Sequence, residues 1–274
     1  MTTTSTITLL GGTGKTGRRI AERLEAAGAD VRLGSRRGTP RFDWEDASTF
    51  APAIAGSQAL YVAYAPDLAV PGAGEAVAEV ARLATEAGVR RLVLLSGRGE
   101  EEAQRAEQLV AEHFPGRTVV RCSFFAQGFS ESAFAEGIAA GELALPVGDV
   151  REPFVDAEDI ADVATEALLQ DGHAGEVYEL TGPRLLSFAE AAAEIGAALG
   201  REVGFVTVPL QAYLAELERA GEPAQVGELL GYLFTEVLDG RNARTTDGVQ
   251  RALGRAPRDF ADYARRAAAE GAWD

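Results

Sequence analysis

Metal ligands, disulfide partners and membrane-spanning runs are all scarce in this chain of 274 residues. Its one cysteine, Cys122, cannot form an intrachain disulfide, and His113 and His173 stand 60 positions apart, without the spacing of a metal site. No apolar run approaches the roughly 20 residues that cross a bilayer. The first residues, MTTTSTITLL, lack the basic start and the long apolar stretch of a signal peptide. We therefore expect a cytoplasmic protein that binds no metal and no membrane.

Positive charge is also in short supply. The chain has 26 lysines and arginines against 42 acidic residues, a formal net charge of -16, and Lys15 is its one lysine. Such a charge repels the phosphate backbone of nucleic acids and the surface of anionic lipids. We expect a small molecule rather than a nucleic acid as the partner, and a monomer or homodimer.

What the sequence does contain is a regular alternation of short apolar runs and amphipathic helical patterns. This alternation is typical of a parallel sheet with helices on both faces. The predicted strands are residues 6–10, 30–34, 59–63, 91–95, 118–121 and 177–180. The predicted helices are residues 17–27, 74–87, 100–113 and 156–169.

Two segments do not continue the alternation. Residues 129–150 and 183–274 are predicted to be mostly helical, with small strands at 143–147 and 203–208. We therefore predict an α/β protein of the Rossmann type, with a doubly wound parallel sheet built from residues 1–128 and 151–182. Residues 129–150 and 183–274 would form a small, discontinuous, mostly helical substrate-binding subdomain.

A glycine-rich loop joins the first predicted strand to the first predicted helix. Its Gly-x-Gly-x-x-Gly spacing allows a tight turn, close approach of a pyrophosphate and helix packing, and the helix N-terminus faces the anion. A nucleoside-triphosphate loop is excluded because Leu9 stands where its first glycine is required. A glycine-rich turn without a ligand is the remaining alternative. The predicted pyrophosphate-binding residues are Gly11, Gly12, Thr13, Gly14, Lys15, Thr16 and Gly17.

The turn after the second predicted strand decides which dinucleotide fits. NAD needs a carboxylate there for its ribose 2'-hydroxyl, whereas NADP needs cations for its 2'-phosphate. The sequence reads Gly34-Ser35-Arg36-Arg37, without a carboxylate. A hydroxyl and planar guanidinium groups suit a phosphate, so Ser35, Arg36 and Arg37 predict NADPH (NADP) as the cofactor. Solvated loop charges without a ligand are the alternative.

Five segments occur in the order and spacing of the NmrA-like branch of the atypical short-chain dehydrogenase/reductases, which the chain resembles over nearly its whole length. They are GGTGKTGRRIAERL, VRLGSRR, RLVLLSGRG, VVRCSFFAQGF and EPFVDAEDIADVATEAL. The C-terminal segment from Tyr232 onward looks like a bacterial subgroup related to fungal ergot-alkaloid iminium reductases. The resemblance implies that the cofactor is also bordered by Ala63, Tyr64 and Ala65 at the adenosine, Ser96 and Gly97 at the nicotinamide ribose, and Ser123, Phe124, Phe125 and Ala126 at the nicotinamide.

The proton donor of ordinary short-chain dehydrogenases is missing. Those enzymes use Tyr-x-x-x-Lys, in which the lysine lowers the pKa of the tyrosine. None of the six tyrosines has a lysine four residues later, and the helix after Ser96 carries Gln104 and Gln108 at that interval. A positioned general acid contributes about 10² to 10⁴ in rate, so acceptors that need little protonation are favoured. Other donors remain possible, and the candidates are Ser96, Tyr64 and Tyr232.

Aromatic side chains predict the substrate site. Such residues near the carboxyl ends of the strands would line an apolar cleft for a small apolar or aromatic substrate. The predicted substrate-binding residues are Phe125, Gln127, Phe129, Tyr232 and Phe234, and Trp44, Tyr64, Phe124 and Phe134 are further aromatics of the wall. Core packing is the alternative for each of these aromatics. The sequence thus favours an NADPH-dependent reductase of an iminium, imine, or activated C=C or C=O acceptor. A non-catalytic NADP(H)-binding redox sensor and a redox-neutral enzyme with a structural cofactor are the alternatives.

Overall fold

The computed structural model describes residues 5–274 of the protein. In that range the strands are, in chain order, β1 (Thr6–Leu10), β2 (Asp30–Gly34), β3 (Ala59–Val62), β4 (Arg91–Gly97), β5 (Thr118–Cys122), β6 (Glu142–Leu145), β7 (Arg151–Glu152), β8 (Val177–Leu180), β9 (Leu186–Ser187) and β10 (Gly204–Thr207). The α-helices are α1 (Lys15–Ala26), α2 (Phe50–Ile54), α3 (Ala73–Glu86), α4 (Glu101–His113), α5 (Phe134–Ala140), α6 (Ala157–Leu169), α7 (Phe188–Leu199), α8 (Leu210–Arg219), α9 (Ala224–Tyr232), α10 (Gly248–Leu253) and α11 (Phe260–Ala269). Short 3-10 turns form at Ala47–Thr49 and Ala126–Gly128, and a π-helical turn forms at Leu233–Val237.

A parallel sheet with the order β2-β1-β3-β4-β5-β8 organises the first of two compact units. Its apolar strands are buried on both faces, since Leu9, Leu60 and Leu94 have no exposed surface. Helices α1 and α6 pack together, as do α3 and α4. The predicted α/β Rossmann fold is therefore confirmed, and each of its six predicted strands forms within two residues of its predicted ends.

The order of the strands reverses between β1 and β3. From β1 the chain forms β2 on one side of β1, and then crosses to form β3 on the other side. In the register of the sheet, Leu10 at the end of β1 lies beside Gly34 of β2 and Val62 of β3. Ligands of doubly wound sheets bind at the carboxyl ends of the strands at such a reversal. The loops after β1, β2, β3 and β4 are therefore the ones to examine for a site.

The second unit comprises Ser123–Asp156, Thr181–Thr246 and Ala256–Asp274. It contains two small sheets, β6 with β10 in parallel and β7 with β9 antiparallel. Helix α11 packs on α7. Its core is rich in aromatic rings, and the ring of Phe129 packs edge-on against those of Phe154 and Phe260 at 5.2 and 5.4 Å between centroids.

The boundaries of the units differ from the predicted ones. Residues 123–128 and 151–156, predicted in the core, belong to the second unit. The Ser123 hydroxyl donates to the Pro153 carbonyl at 2.6 Å, and Phe125 pairs with Val155 in a β-bridge, so these two segments hold each other. Residues 247–255, predicted in the subdomain, belong to the first unit because α10 packs against β8.

Among residues 5–274, no helix is both long enough and apolar enough to cross a membrane.

Candidate active site

The glycine loop after β1 has a backbone conformation and close contacts that only glycine can accommodate. Gly11 has φ +93°, a conformation that side chains rarely adopt, and a β-carbon there would lie 2.7 Å from the Ala63 carbonyl oxygen. A β-carbon at Gly17 would lie 2.6 Å from the α-carbon of Gly12. The absence of side chains at these positions therefore lets α1 begin directly against the end of β1.

The N-terminus of α1 follows this loop directly, at Lys15. Gly14 is the residue that precedes the helix, and within the described range no side chain caps it and the first turn carries no acidic residue. The first N–H groups of a helix carry a partial positive charge that binds phosphate groups. The hydroxyl of Thr16 is not available for this purpose in the structure, because it is buried against the Tyr61 phenol at 2.8 Å. Thr16 would contribute its backbone N–H to a phosphate.

The arginine turn after β2 lies beside the glycine loop. Gly34 is the register partner of Leu10, so Ser35, Arg36 and Arg37 follow β2 where Gly11 follows β1. The backbone carbonyl of Ser35 accepts from the amides of Gly38 and Phe42, which closes the turn. Arg36 and Arg37 are exposed, and neither guanidinium has a hydrogen-bond or ion-pair partner in the part of the chain that is described. Both cations are therefore available to an anion at this edge of the sheet.

The loop after β3 completes this side of the site. The Ala63 amide donates to the Leu10 carbonyl at 2.9 Å, which places Ala63, Tyr64 and Ala65 directly after the paired ends of β1 and β3. The Tyr64 ring packs on the Trp44 ring, with 4.7 Å between centroids. Burial raises the pKa of the Tyr64 phenol, and the Glu45 carboxylate raises it further. Tyr64 is therefore a neutral phenol at physiological pH and is partly buried against Trp44.

Ser96 at the end of β4 is held by an ion-pair network. Its hydroxyl donates to the Glu107 carboxylate at 2.6 Å, and both residues are buried. Arg121 on β5 binds the same carboxylate through two nitrogens and reaches Glu179 on β8 at 2.8 Å. The hydrogen bonds to Glu107 and Glu179 raise the pKa of Arg121, so the guanidinium stays charged. Glu107 occupies the face of α4 that lies against Ser96.

A second buried carboxyl, that of Glu100, lies three residues beyond this strand end. Glu100 is 5% exposed, and its carboxyl lies over the α-carbon of Gly97, where any side chain would overlap it. Asp67, from the loop after β3, contacts that carboxyl by a hydrogen bond. The sequence does not predict a buried role for Glu100, because it is the first of three consecutive glutamates at the start of a predicted helix.

Of the predicted residues in the second unit, several are enclosed by their neighbours. Phe129 has no exposed surface, and Phe234 is buried with its ring 5.6 Å from that of Tyr213. The side chain of Gln127 is buried and donates to the Asp156 carboxylate at 2.8 Å. The structure therefore gives these three side chains packing or internal hydrogen-bonding roles.

Of the other predicted residues of that unit, Ser123, Ala126 and Phe134 are buried and three keep accessible surface. Phe124, Phe125 and Tyr232 are partly exposed. Ser123 is buried, because its hydroxyl is hydrogen bonded to the Pro153 carbonyl. Of the five predicted substrate-binding residues, Phe125 and Tyr232 are the two whose side chains are accessible to a substrate.

A glycine loop at the reversal of strand order, an uncapped helix behind it and an arginine turn beside it define the dinucleotide-binding class of Rossmann folds. No family model matches the chain. The chain is 34% identical to the oxidoreductase YesF of Bacillus subtilis (strain 168), over 96% of this chain and 95% of that protein. It is 30% identical to an NAD(P)H azoreductase of Xenophilus azovorans, over 96% and 98% of the two chains.

A third relative and one solved structure agree with these likenesses. The agroclavine dehydrogenase of Claviceps fusiformis is 29% identical, over 94% of this chain and 96% of that protein. The structure of the Citrobacter sp. triphenylmethane reductase complexed with NADP(H) superposes with a TM-score of 0.74 at 18% identity, over 96% and 99% of the two chains. The chain belongs to the NmrA-like family of atypical short-chain dehydrogenase/reductases. This confirms the family that its motifs predict.

Proposed function

We propose that this protein is an NADPH-dependent reductase that delivers hydride to a small organic acceptor without a Tyr-Lys proton relay. The acceptor is an iminium or imine, or an activated C=C or C=O group such as that of an enone or quinone. The single observation that carries the proposal is the pair of guanidinium groups beside the glycine loop, those of Arg36 and Arg37, which have no partner within residues 5–274. The names of the relatives, an oxidoreductase, an NAD(P)H azoreductase and a clavine dehydrogenase, support the reductase class.

The residues present fit the cofactor. The pyrophosphate would lie against the glycine loop at the first turn of α1, where the positive end of the helix stabilises an anion. The 2'-phosphate would bind Arg36, with Arg37 and Ser35 beside it, because guanidinium groups form charge-assisted hydrogen bonds with phosphates. When bound, NADPH supplies the hydride. The protein orients the cofactor and the acceptor and excludes water.

Two features of the structure support the absence of a phenol-based relay. The lysine of that relay has no counterpart on α4, where the corresponding interval is occupied by Gln104 and Gln108. The Ser96 hydroxyl donates to Glu107 rather than to a tyrosine. A preformed iminium ion takes up hydride and becomes a neutral amine, so it needs no proton from the protein. The agroclavine dehydrogenase relative favours this kind of acceptor as one substrate class.

The test is NADPH oxidation with a panel of cyclic iminium salts, quinones and enones, followed by loss of cofactor absorbance. A Gly17→Val variant serves as the control, since its side chain would fill the space between α1 and the loop. We expect turnover of at least one acceptor by the wild type and none by this variant. If NADPH binds but the wild type oxidises it with no acceptor, the reductase proposal fails and the redox-sensor alternative takes its place.

A further inference from the structure

Glu100 has the burial of a core residue but none of the contacts that normally stabilise a buried carboxylate. It is the residue that precedes α4, yet within residues 5–274 its side chain forms no capping hydrogen bond with the helix. It is 5% exposed, and its Oε2 atom is buried without a hydrogen-bond donor in the described part of the chain. Burying an ionised carboxylate without a cation or donors is strongly unfavourable. A structural capping role therefore does not explain this placement.

The group that faces Glu100 is a second carboxyl. Asp67 contacts the Glu100 carboxyl by a hydrogen bond, and its negative charge disfavours ionisation of Glu100. The nearest buried cation along the chain, Arg98, pairs with Glu179 at 3.4 Å. Two carboxyl groups form a hydrogen bond with each other only when one of them carries a proton.

The proton of this pair belongs on Glu100. Burial, followed by the charge of Asp67 and the hydrogen bond that Glu100 donates to it, raises the pKa of Glu100 to about 9. Asp67 accepts a 2.8 Å hydrogen bond from the Ala69 amide, which fixes the orientation of its carboxyl group. Glu101 and Glu102, which follow on α4, are exposed to solvent. At neutral pH Glu100 is therefore a carboxylic acid.

The position of the pair relates it to the proposed reaction. Asp67 lies in the loop after β3, and Glu100 lies three residues after the end of β4 with its carboxyl over Gly97, the last residue of that strand. These are carboxyl ends of neighbouring strands, next to the reversal of strand order where doubly wound sheets bind their ligands.

We propose that Glu100, held protonated by Asp67, is the acid that protonates the reduced acceptor, and that neutral conjugated acceptors such as quinones and enones are therefore substrates. The proposal rests on the reductase function proposed above. Glu100 would take the place of the missing tyrosine as proton donor. The protein could then reduce acceptors that become anionic when they receive hydride.

Transfer of the Glu100 proton completes the reduction of a quinone. Addition of hydride to a quinone gives the hydroquinone monoanion, with the negative charge on an oxygen. The O–H bond of Glu100 breaks and a new O–H bond forms on that oxygen, so the product is neutral and Glu100 becomes a carboxylate. Glu100 and Asp67 then repel each other at close range, which drives uptake of a proton from water and restores the pair. A preformed iminium ion needs no such step, because hydride alone neutralises it.

The experiment compares Glu100→Gln with a matched control, Glu102→Gln, in the full-length protein with NADPH. The acceptors are a benzoquinone and an N-alkylated cyclic iminium salt. For Glu100→Gln we expect quinone turnover to fall by about 10² to 10⁴, iminium turnover to change less than threefold, and NADPH affinity to stay the same. The control should match the wild type with both acceptors.

A second readout needs no turnover. The infrared carbonyl band of a protonated carboxyl should be present in the ligand-free wild type at neutral pH, disappear as the pH rises past about 9, and be absent from Glu100→Gln at every pH. If Glu100→Gln does not fold, Asp67→Asn takes its place. Without the charge of Asp67 the quinone activity and the band should both be lost at a lower pH than in the wild type.

Distinct results overturn the two proposals. Quinone turnover that survives in Glu100→Gln, equal losses with the two acceptors, or absence of the infrared band would overturn the assignment to Glu100. Failure of the wild type to oxidise NADPH with either acceptor would instead overturn the reductase function on which this inference rests.

Discussion

The Ser96 hydroxyl donates a 2.6 Å hydrogen bond to Oε1 of Glu107, a carboxylate that is 3% exposed. This bond uses the proton of Ser96, so the oxygen of that side chain is left as an acceptor. Arg121 neutralises Glu107 through two nitrogens, the nearer of which belongs to an ion pair of 2.5 Å. The end of β4 is thus built around an Arg–Glu pair that joins strand β5 to helix α4.

Replacing Arg121 with methionine should destabilise the protein by about 3 to 5 kcal/mol, because Glu107 is then buried without a cation. The matched control is Arg105→Met, since Arg105 pairs with Glu102 at 3.5 Å on the exposed face of α4. Exposed pairs contribute about 0 to 1 kcal/mol. Urea unfolding of both variants measures the difference, and equal midpoints would show that the Arg121 network does not stabilise the fold.

Replacing Arg36 with alanine should weaken NADPH binding by about 10- to 100-fold and leave NADH binding nearly unchanged. A charge-assisted hydrogen bond to a phosphate contributes about 1.5 to 3 kcal/mol, and NADH lacks that phosphate. Arg41→Ala is the control, because Arg41 lies in the same loop but pairs with Asp46 at 3.1 Å. Calorimetric titration with both cofactors decides the question. If Arg36→Ala weakened NADH binding to a similar extent, Arg36 would not be the residue that binds the 2'-phosphate.

Comparing Gly11→Ala with Gly28→Ala distinguishes the effect of backbone strain, which both variants have, from the effect of a changed glycine loop, which only Gly11→Ala has. Both glycines have positive φ, +93° and +78°, so both substitutions should cost about 1 to 2 kcal/mol of stability. A β-carbon at Gly28 meets no atom within 4 Å, whereas one at Gly11 would meet the Ala63 carbonyl oxygen at 2.7 Å. We expect Gly11→Ala to lose NADPH binding and Gly28→Ala to retain it. Loss of binding in both variants would show that stability, rather than the loop, governs affinity.

The stability of the protein should fall as pH rises, because of Glu100. Its pKa in the folded protein is raised from the ordinary glutamate value to about 9, so the folded state keeps a proton that the unfolded chain has released. Between those two values the free energy of unfolding decreases with pH, at up to about 1.4 kcal/mol per pH unit for a single group. Urea unfolding from pH 5 to pH 9 (about the window set by these values) should show this slope in the wild type and in Glu102→Gln, and a flatter profile in Glu100→Gln. An unchanged slope in Glu100→Gln would mean that this carboxyl is ionised in the folded protein.

Replacing Gln127 with alanine tests whether its amide binds substrate or holds the fold. The amide donates to the Asp156 carboxylate at 2.8 Å, and both side chains are 2% exposed. Loss of a buried donor to a charged acceptor should cost about 1 to 3 kcal/mol of stability and leave the KM for acceptors within a few-fold. Steady-state kinetics and urea unfolding of the same preparation give both numbers. A raised KM with an unchanged free energy of unfolding would instead show that Gln127 binds the substrate.

Elements whose residues interact locally or repeat with a period were predictable from the sequence. The apolar runs marked the inner strands of the main sheet most clearly, because strands buried on both faces must be apolar, whereas the edge strand β2 carries Asp30 and Arg32. Residues 143–147 and 203–208 were predicted as small strands and form β6 and β10, which pair in parallel. The glycine loop was predictable because φ at Gly11 and the approach of Gly17 to Gly12 depend on missing side chains.

The aromatic residues show where pattern stops being informative. Phe125 and Phe129 lie four residues apart and have the same chemistry, yet one is partly exposed and the other has no exposed surface. Their difference comes from rings contributed by distant segments, such as those of Phe154, Phe188 and Phe260 around Phe129. Such contacts have no period along the chain.

The sequence by itself determined the doubly wound sheet and the glycine turn after its first strand, and it predicted a cation for the 2'-phosphate of NADPH, since each depends on residue types at short, regular spacings. Only the tertiary structure decided which carboxyls meet. Glu100, Glu101 and Glu102 are identical and consecutive, yet only Glu100 turns back over Gly97 to contact Asp67, more than thirty positions earlier in the chain. Burial and a neighbouring charge, which set the protonation of a carboxyl, are properties of the folded surroundings rather than of the residue.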